Sequence, residues 1–129
     1  MGVMGIIVST MLCQVLGFLW YGPNPIGRMW LHSCGIRLED LKKTGNLPYL
    51  VAIFSKAATA FFLNGFLRSG MGVVTLEEAF YASVNLSIIL ALLEATHAPF
   101  HGLGLPAYLV NIGYDTTCLI IIALFVIAF

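Results

Sequence analysis

Two ionisable side chains stand inside apolar runs: Lys56, between Leu47 and Leu67, and Asp115, between Leu105 and Phe129. A Lys or Asp at the centre of a membrane span costs about 2.5–3.5 kcal/mol to insert, so two left unpaired would cost about 5–7 kcal/mol. Each must therefore meet an opposite charge or water. Such a pair can relay protons or ions, fix how one helix docks on another, or meet a charge on a neighbouring protein. The docking bridge is the expected role, and the relay is its alternative. A short repeat places the two together: superposing Tyr108-Leu109-Val110 on Tyr49-Leu50-Val51, an offset of 59 residues, brings Asp115 onto Lys56. Two spans that cross in the same direction would then hold the charges at one depth.

A second cluster, Glu94, His97 and His101, has the Glu-x-x-His spacing of carboxylate-bridged di-metal bundles, but those need a second copy and further carboxylates. Only one copy exists, and Pro99 interrupts the helix between the histidines, so the group is expected to be polar dressing at a membrane face with no metal or other cofactor bound. By topology His32 and Cys34 fall on that face as well. The three cysteines, Cys13, Cys34 and Cys118, form no even framework, and two of them sit in apolar runs where a thiol behaves as a small hydrophobe. No nucleophile elbow, phosphate-binding loop, dinucleotide fingerprint, C-x-x-C or H-E-x-x-H occurs, so catalysis is not expected.

The elements that must position these groups follow from composition. Of 129 residues, 60% are hydrophobic and only 9% charged, against about 45–50% and about 25% in soluble domains. Six basic and six acidic residues cancel, which leaves no field to gather nucleic acid. Four stretches reach the ~20 apolar residues that a membrane-crossing helix requires, about 2–21, 47–67, 76–96 and 105–129. Gly22-Pro23, Pro48, Ser69-Gly70, Pro99 and Pro106 punctuate them, and Thr75 with Glu78 forms a capping box at the start of the third. The first span has no basic region before it and no A-x-A-like site after it, so it is expected to stay in the chain. The fold is thus expected to be all-α, a single four-transmembrane-helix bundle over 1–129, with the repeat consistent with two tandem helical hairpins.

The polar loop 22–46 carries Arg28, Arg37, Lys42 and Lys43, whereas the other face offers Arg68. The positive-inside bias places that loop on the cytoplasmic or matrix side of a bacterial or organellar inner membrane, such as the mitochondrial one, with both termini opposite. Ile26, Met29 and Trp30 at helical spacing suggest a short interfacial helix, and Trp20, Tyr21, Gly22, Pro23 and Trp30 suggest interface anchoring. Ala79, Ser83, Ser87, Ala91 and Ala95 form a small-residue ridge on the third span. Ala52, Ala60 and Asn64 share a row with Lys56, Thr10, Gln14 and Gly17 share one on the first span, and Asn111, Asp115 and Cys118 one on the fourth. These stripes are expected to face the inside of the bundle.

The run Gly17-Phe18-Leu19-Trp20-Tyr21-Gly22-Pro23, then Trp30, the acidic pair Glu39-Asp40 and finally Asn111-Ile112-Gly113-Tyr114 resemble a domain-of-unknown-function family. Its members are small, mostly bacterial four-span membrane proteins with a W-Y-G-P motif at the first loop and an N-x-G-Y motif in the last helix. The resemblance implies the four-helix fold and carries over no catalytic residue. Asn111 and Tyr114 would supply interhelical hydrogen bonds, and Lys56 and Asp115 stand outside the motifs.

The functional expectation is an integral membrane structural or accessory subunit, without catalysis of its own, whose partners are the lipid bilayer and other membrane subunits or copies of itself. The alternative is a small transporter or channel built on Lys56 and Asp115. In size and span number the chain also resembles the small multidrug transporters, although its first span offers Gln14 where those carry an acidic residue.

Overall fold

The computed structural model describes residues 2–21, 47–101 and 104–129. Four long helices account for nearly all of them: α1 (Gly2–Trp20), α2 (Leu47–Gly65), α3 (Leu76–His97) and α4 (Leu105–Ala128). The interfacial helix expected around Trp30 and the anchors Gly22, Pro23 and Trp30 lie outside the described residues, as do His32 and Cys34.

Each helix begins or ends where its sequence says it should, with one extension. Thr75 Oγ1 accepts a hydrogen bond from Glu78 N at 3.2 Å, which satisfies one of the free donors of the first turn of α3. The Glu78 carboxylate reaches back to Val74 N at 3.0 Å, one residue before the cap, so the box closes slightly wider than its usual form. Pro106 occupies the first turn of α4, where a missing N–H costs nothing. At the far end of α2 the chain does not stop at Leu67 but continues through a π-turn, Phe66–Gly70, so Arg68 is still helical rather than part of a loop.

The last helix is the hub of the bundle. It packs extensively on both α1 and α3 and less extensively on α2, which leans mainly on α1. Along α4, Ala107, Val110, Tyr114, Cys118, Leu119, Ile122, Ala123 and Val126 are buried. On α1 the inward row is Gly5, Ser9, Thr10 and Cys13, while Gln14 and Gly17 are half-buried. Backbones approach closest at Gly5, where a Cβ would stand 2.7 Å from Phe125 O and 2.9 Å from Val126 Cα. Neither atom belongs to a flexible side chain. Gly5→Leu is therefore expected to force α1 off α4 and lower stability by about 1–3 kcal/mol, measurable as an earlier midpoint in a dodecyl sulfate titration. A midpoint unchanged from the parent would mean that α1 packs elsewhere.

The small-residue ridge of α3 docks as its spacing predicts for most of its length. Ala79, Ser83 and Ser87 are buried, Ala91 is half-buried, and Ala95 is exposed. The serines do not bond across the interface: Ser83 Oγ donates to Phe80 O and Ser87 Oγ to Ser83 O, both at 2.8 Å within α3. Their size, not their polarity, lets α4 come near. Tyr108 Oη on α4 does cross, donating to Ala91 O.

Because α2 and α4 run in the same direction, the 59-residue offset becomes a physical register. Lys56 lies beside Asp115, and twelve residues on, Arg68 Nη2 donates to Val126 O at 2.7 Å and Ile127 O at 3.4 Å. Asn64 Oδ1 steadies the guanidinium by accepting from Nε at 2.8 Å. A cation on the free carbonyls of a helix C-terminus is favourable both as a hydrogen bond and against the helix dipole. Phe18 and Tyr49 stack at 5.6 Å and join α1 to the start of α2.

By contrast α2 and α3, although separated only by Met71–Thr75, scarcely touch. They are tied together at the end where α2 finishes, with Val73 buried and its N–H on Leu67 O at 2.8 Å, and they part toward the other end. All four helices are long and apolar enough to cross a bilayer, and their large outward side chains, such as Phe54, Phe62 and Leu92, are the hydrocarbon that lipid would cover. The chain is an integral membrane protein built as an all-α four-helix bundle.

Candidate functional site

The seam between α2 and α3 is a cleft of about 160 Å³ floored by α4. Lys56 and Thr59 come from α2, Leu90 and Glu94 from α3, and Ile112, Asp115, Cys118, Leu119 and Ile122 from α4. Lys56 follows the start of α2 by nine residues and Asp115 that of α4 by ten, which at 1.5 Å per residue puts both about 14–15 Å in, half the thickness of the hydrocarbon.

The pair meets, but loosely. Lys56 Nζ stands 4.0 Å from Asp115 Oδ1, beyond direct hydrogen-bond reach, and 4.8 Å from the centroid of the Tyr114 ring, over whose face it lies. The lysine side chain is 18% exposed and the aspartate 51%. This geometry leaves the Lys56 N–H donors and the Asp115 carboxylate acceptors on the wall of the cleft, where Glu94 adds a second carboxylate. With one cation and two carboxylates on its walls, the cleft carries a net negative charge when all are ionised.

Among the described residues that carried the family resemblance, Trp20, Tyr21, Asn111, Gly113 and Tyr114 come together across the α1–α4 interface. Trp20 Nε1 donates to Val110 O at 3.0 Å, and Tyr21 Oη donates to Asn111 Oδ1 at 2.6 Å. Tyr114 Oη donates to Cys13 O at 2.8 Å, its ring edge-on to Tyr21 at 5.4 Å and tilted against Trp20 at 6.3 Å. Gly113 admits the indole, because a Cβ there would be 3.0 Å from Trp20 Cζ2. Trp20 and Tyr21, expected as anchors toward the lipid headgroups, are thus also half-buried clasps on α4. Tyr114 connects the two centres, with α1 at its hydroxyl and the Lys56 ammonium on its face.

The Glu94, His97 and His101 cluster divides. Glu94 lines the cleft, His97 is exposed at the end of α3, and the His101 side chain lies outside the described residues. Among the described residues no group of three His, Cys, Asp or Glu is arranged to hold a metal ion. Cys13 and Cys118 are buried free thiols, and Cys13 Sγ faces Cys118 O at 3.8 Å across the α1–α4 contact. Sequence reasoning missed Arg68, counted only as a loop charge. The offset that aligned Lys56 with Asp115 also aligns Arg68 with Ile127 and was the available signal.

Comparison with curated proteins and with solved structures returns no match. Residues 4–127 match the model of one family, and with the four helices and nearly the whole chain covered, the chain belongs to the family described as "Protein of unknown function (DUF1761)".

Proposed function

We propose that the protein is a small transporter or channel for protons or small cations, with Lys56 and Asp115 as its working groups. The observation that carries this reading is the open ion pair: 4.0 Å apart at mid-depth, with half of the aspartate side chain facing a cleft. Ionisable groups inside a membrane are costly and commonly mark ion or proton pathways. The docking of α2 has other supports, in the Arg68 latch and the Phe18–Tyr49 stack, so the pair is not needed as a bridge. Proteoliposomes holding the purified chain are expected to dissipate an imposed pH or Na⁺/K⁺ gradient faster than protein-free liposomes, and Asp115→Asn is expected to abolish the difference. No excess flux, or flux indifferent to Asp115→Asn, rejects the reading.

The accessory-subunit reading draws on a different feature, the seam where α2 and α3 part. A helix from another subunit would fill it and cover Asp115. Extraction of one stable large assembly from native membranes in mild detergent supports that role, and a monodisperse single chain counts against it.

A further inference from the structure

We infer that the cleft is a one-sided aqueous vestibule, entered, among the described residues, from the end at which α3 finishes and α4 begins, which brings water and small cations to Asp115 but not through to the opposite face. Three observations combine. The first is room lined with polar partners: a water needs about 10–15 Å³ of accessible space and two to four hydrogen-bonding groups, and this cleft offers about 160 Å³ with Lys56 Nζ, the Asp115 and Glu94 carboxylates and Thr59 Oγ1 on its walls. Thr59 Oγ1 donates to Ser55 O at 2.7 Å and keeps its lone pairs for a solvent donor.

The second is the order of the charged groups along the axis. Glu94 lies three residues from the end of α3, about 5 Å inside by helical rise, and Asp115 about 10 Å deeper, so one carboxylate stands near the rim and the other partway down, above Leu119 and Ile122. Field lines in a narrow low-dielectric groove concentrate the effect of such charges, and two carboxylates against one ammonium select cations.

The third is closure at the opposite face. Past Asp115 the lining turns to Leu119 and Ile122, and the layer beyond holds Leu63, Leu67, Ala123 and Val126, all buried. There the Met71–Thr75 turn ties α2 to α3, and Arg68 fastens α2 to the end of α4. The charged lining therefore ends at the ion pair, and the cleft closes over apolar side chains before the opposite face.

This inference rests on the reading of Lys56 and Asp115 as working groups, but it is tested by labelling rather than by flux. Thr59→Cys and Ile112→Cys, with Phe54→Cys as the lipid-facing control and the unsubstituted chain as background, are treated in sealed vesicles of either orientation. The probes are the membrane-impermeant trimethylammonium-ethyl and sulfonato-ethyl methanethiosulfonates. From the α3-end face, the cationic reagent is expected to modify both cleft positions at least about tenfold faster than Phe54→Cys, since only a watered position inside a span offers a reactive thiolate. The anionic reagent should be several-fold slower, a difference lost when Glu94→Gln and Asp115→Asn are added. Cleft positions no faster than Phe54→Cys, equal labelling from both faces, or no preference for the cation overturns the vestibule. Should Thr59→Cys fold poorly, Ile112→Cys gives the same reading alone. One-sided labelling without flux keeps the vestibule and rejects transport, and flux with two-sided labelling does the reverse.

Discussion

Lys56→Met is expected to destabilise the bundle by about 2–3 kcal/mol, and adding Asp115→Asn is expected to recover most of that loss. Removing the ammonium strands a carboxylate half-way through the hydrocarbon, whereas removing both charges leaves two neutral side chains in a cleft that still fits them. The exposure of Asp115 to the cleft holds the figure below that of a fully enclosed pair. The reverse single change should be milder. In Asp115→Asn the lysine retains the Tyr114 ring face, an interaction of about 0.5–2 kcal/mol. A double-mutant cycle read by dodecyl sulfate unfolding measures the coupling directly. Additive losses would show that the two charges do not sense each other.

Tyr114→Ala is expected to be the other large loss, about 2–4 kcal/mol. In lipid the hydrophobic driving force between helices is absent, so the cost comes from lost packing and hydrogen bonds rather than from water. This side chain concentrates both: it is 9% exposed, holds Cys13 O, and meets Trp20, Tyr21 and the Lys56 ammonium. Its deletion opens a cavity among groups that α1 and α4 cannot close without moving, since their backbones already touch at Gly5. Tyr114→Phe separates the terms and should cost only about 0.6–1.7 kcal/mol, the range for a hydrogen bond between membrane helices. The same titration checks both variants. Tyr114→Ala within 0.5 kcal/mol of the parent, roughly the scatter of a surface change, would mean that the clasp does not hold α1.

The spans were legible because each is an apolar run of about 20 residues with few charges, set off at its ends by signals such as Gly22-Pro23, Ser69-Gly70 and Pro106. Lys56 and Asp115 could be placed at one depth because a parallel pair with a fixed offset has one register, and Arg68 obeys the same register. The direction of Trp20 and Tyr21 was not legible. An aromatic pair at the end of a span has one pattern whether it floats among headgroups or clasps a neighbour, and only Gly113 and Asn111, ninety residues away, decide. Nor could the parting of α2 from α3 be seen, because outward and cleft-facing positions of α2 differ by a single threonine beside Lys56. The Glu-x-x-His spacing drew Glu94 toward the histidines, while the backbone turns it to the cleft.

Because the first helix finds its main partner in the last, the order of synthesis matters. When α1, α2 and α3 have left the ribosome, neither the clasp residues of α1 nor the small-residue ridge of α3 has anything to pack on, and Lys56 lacks its counter-charge. The arrival of α4 supplies all three at once. Assembly in the bilayer is therefore completed late, after α1 and α2 have paired through contacts such as Phe18 on Tyr49, and a chain truncated before Asn111 would leave α3 undocked and open to quality-control proteolysis.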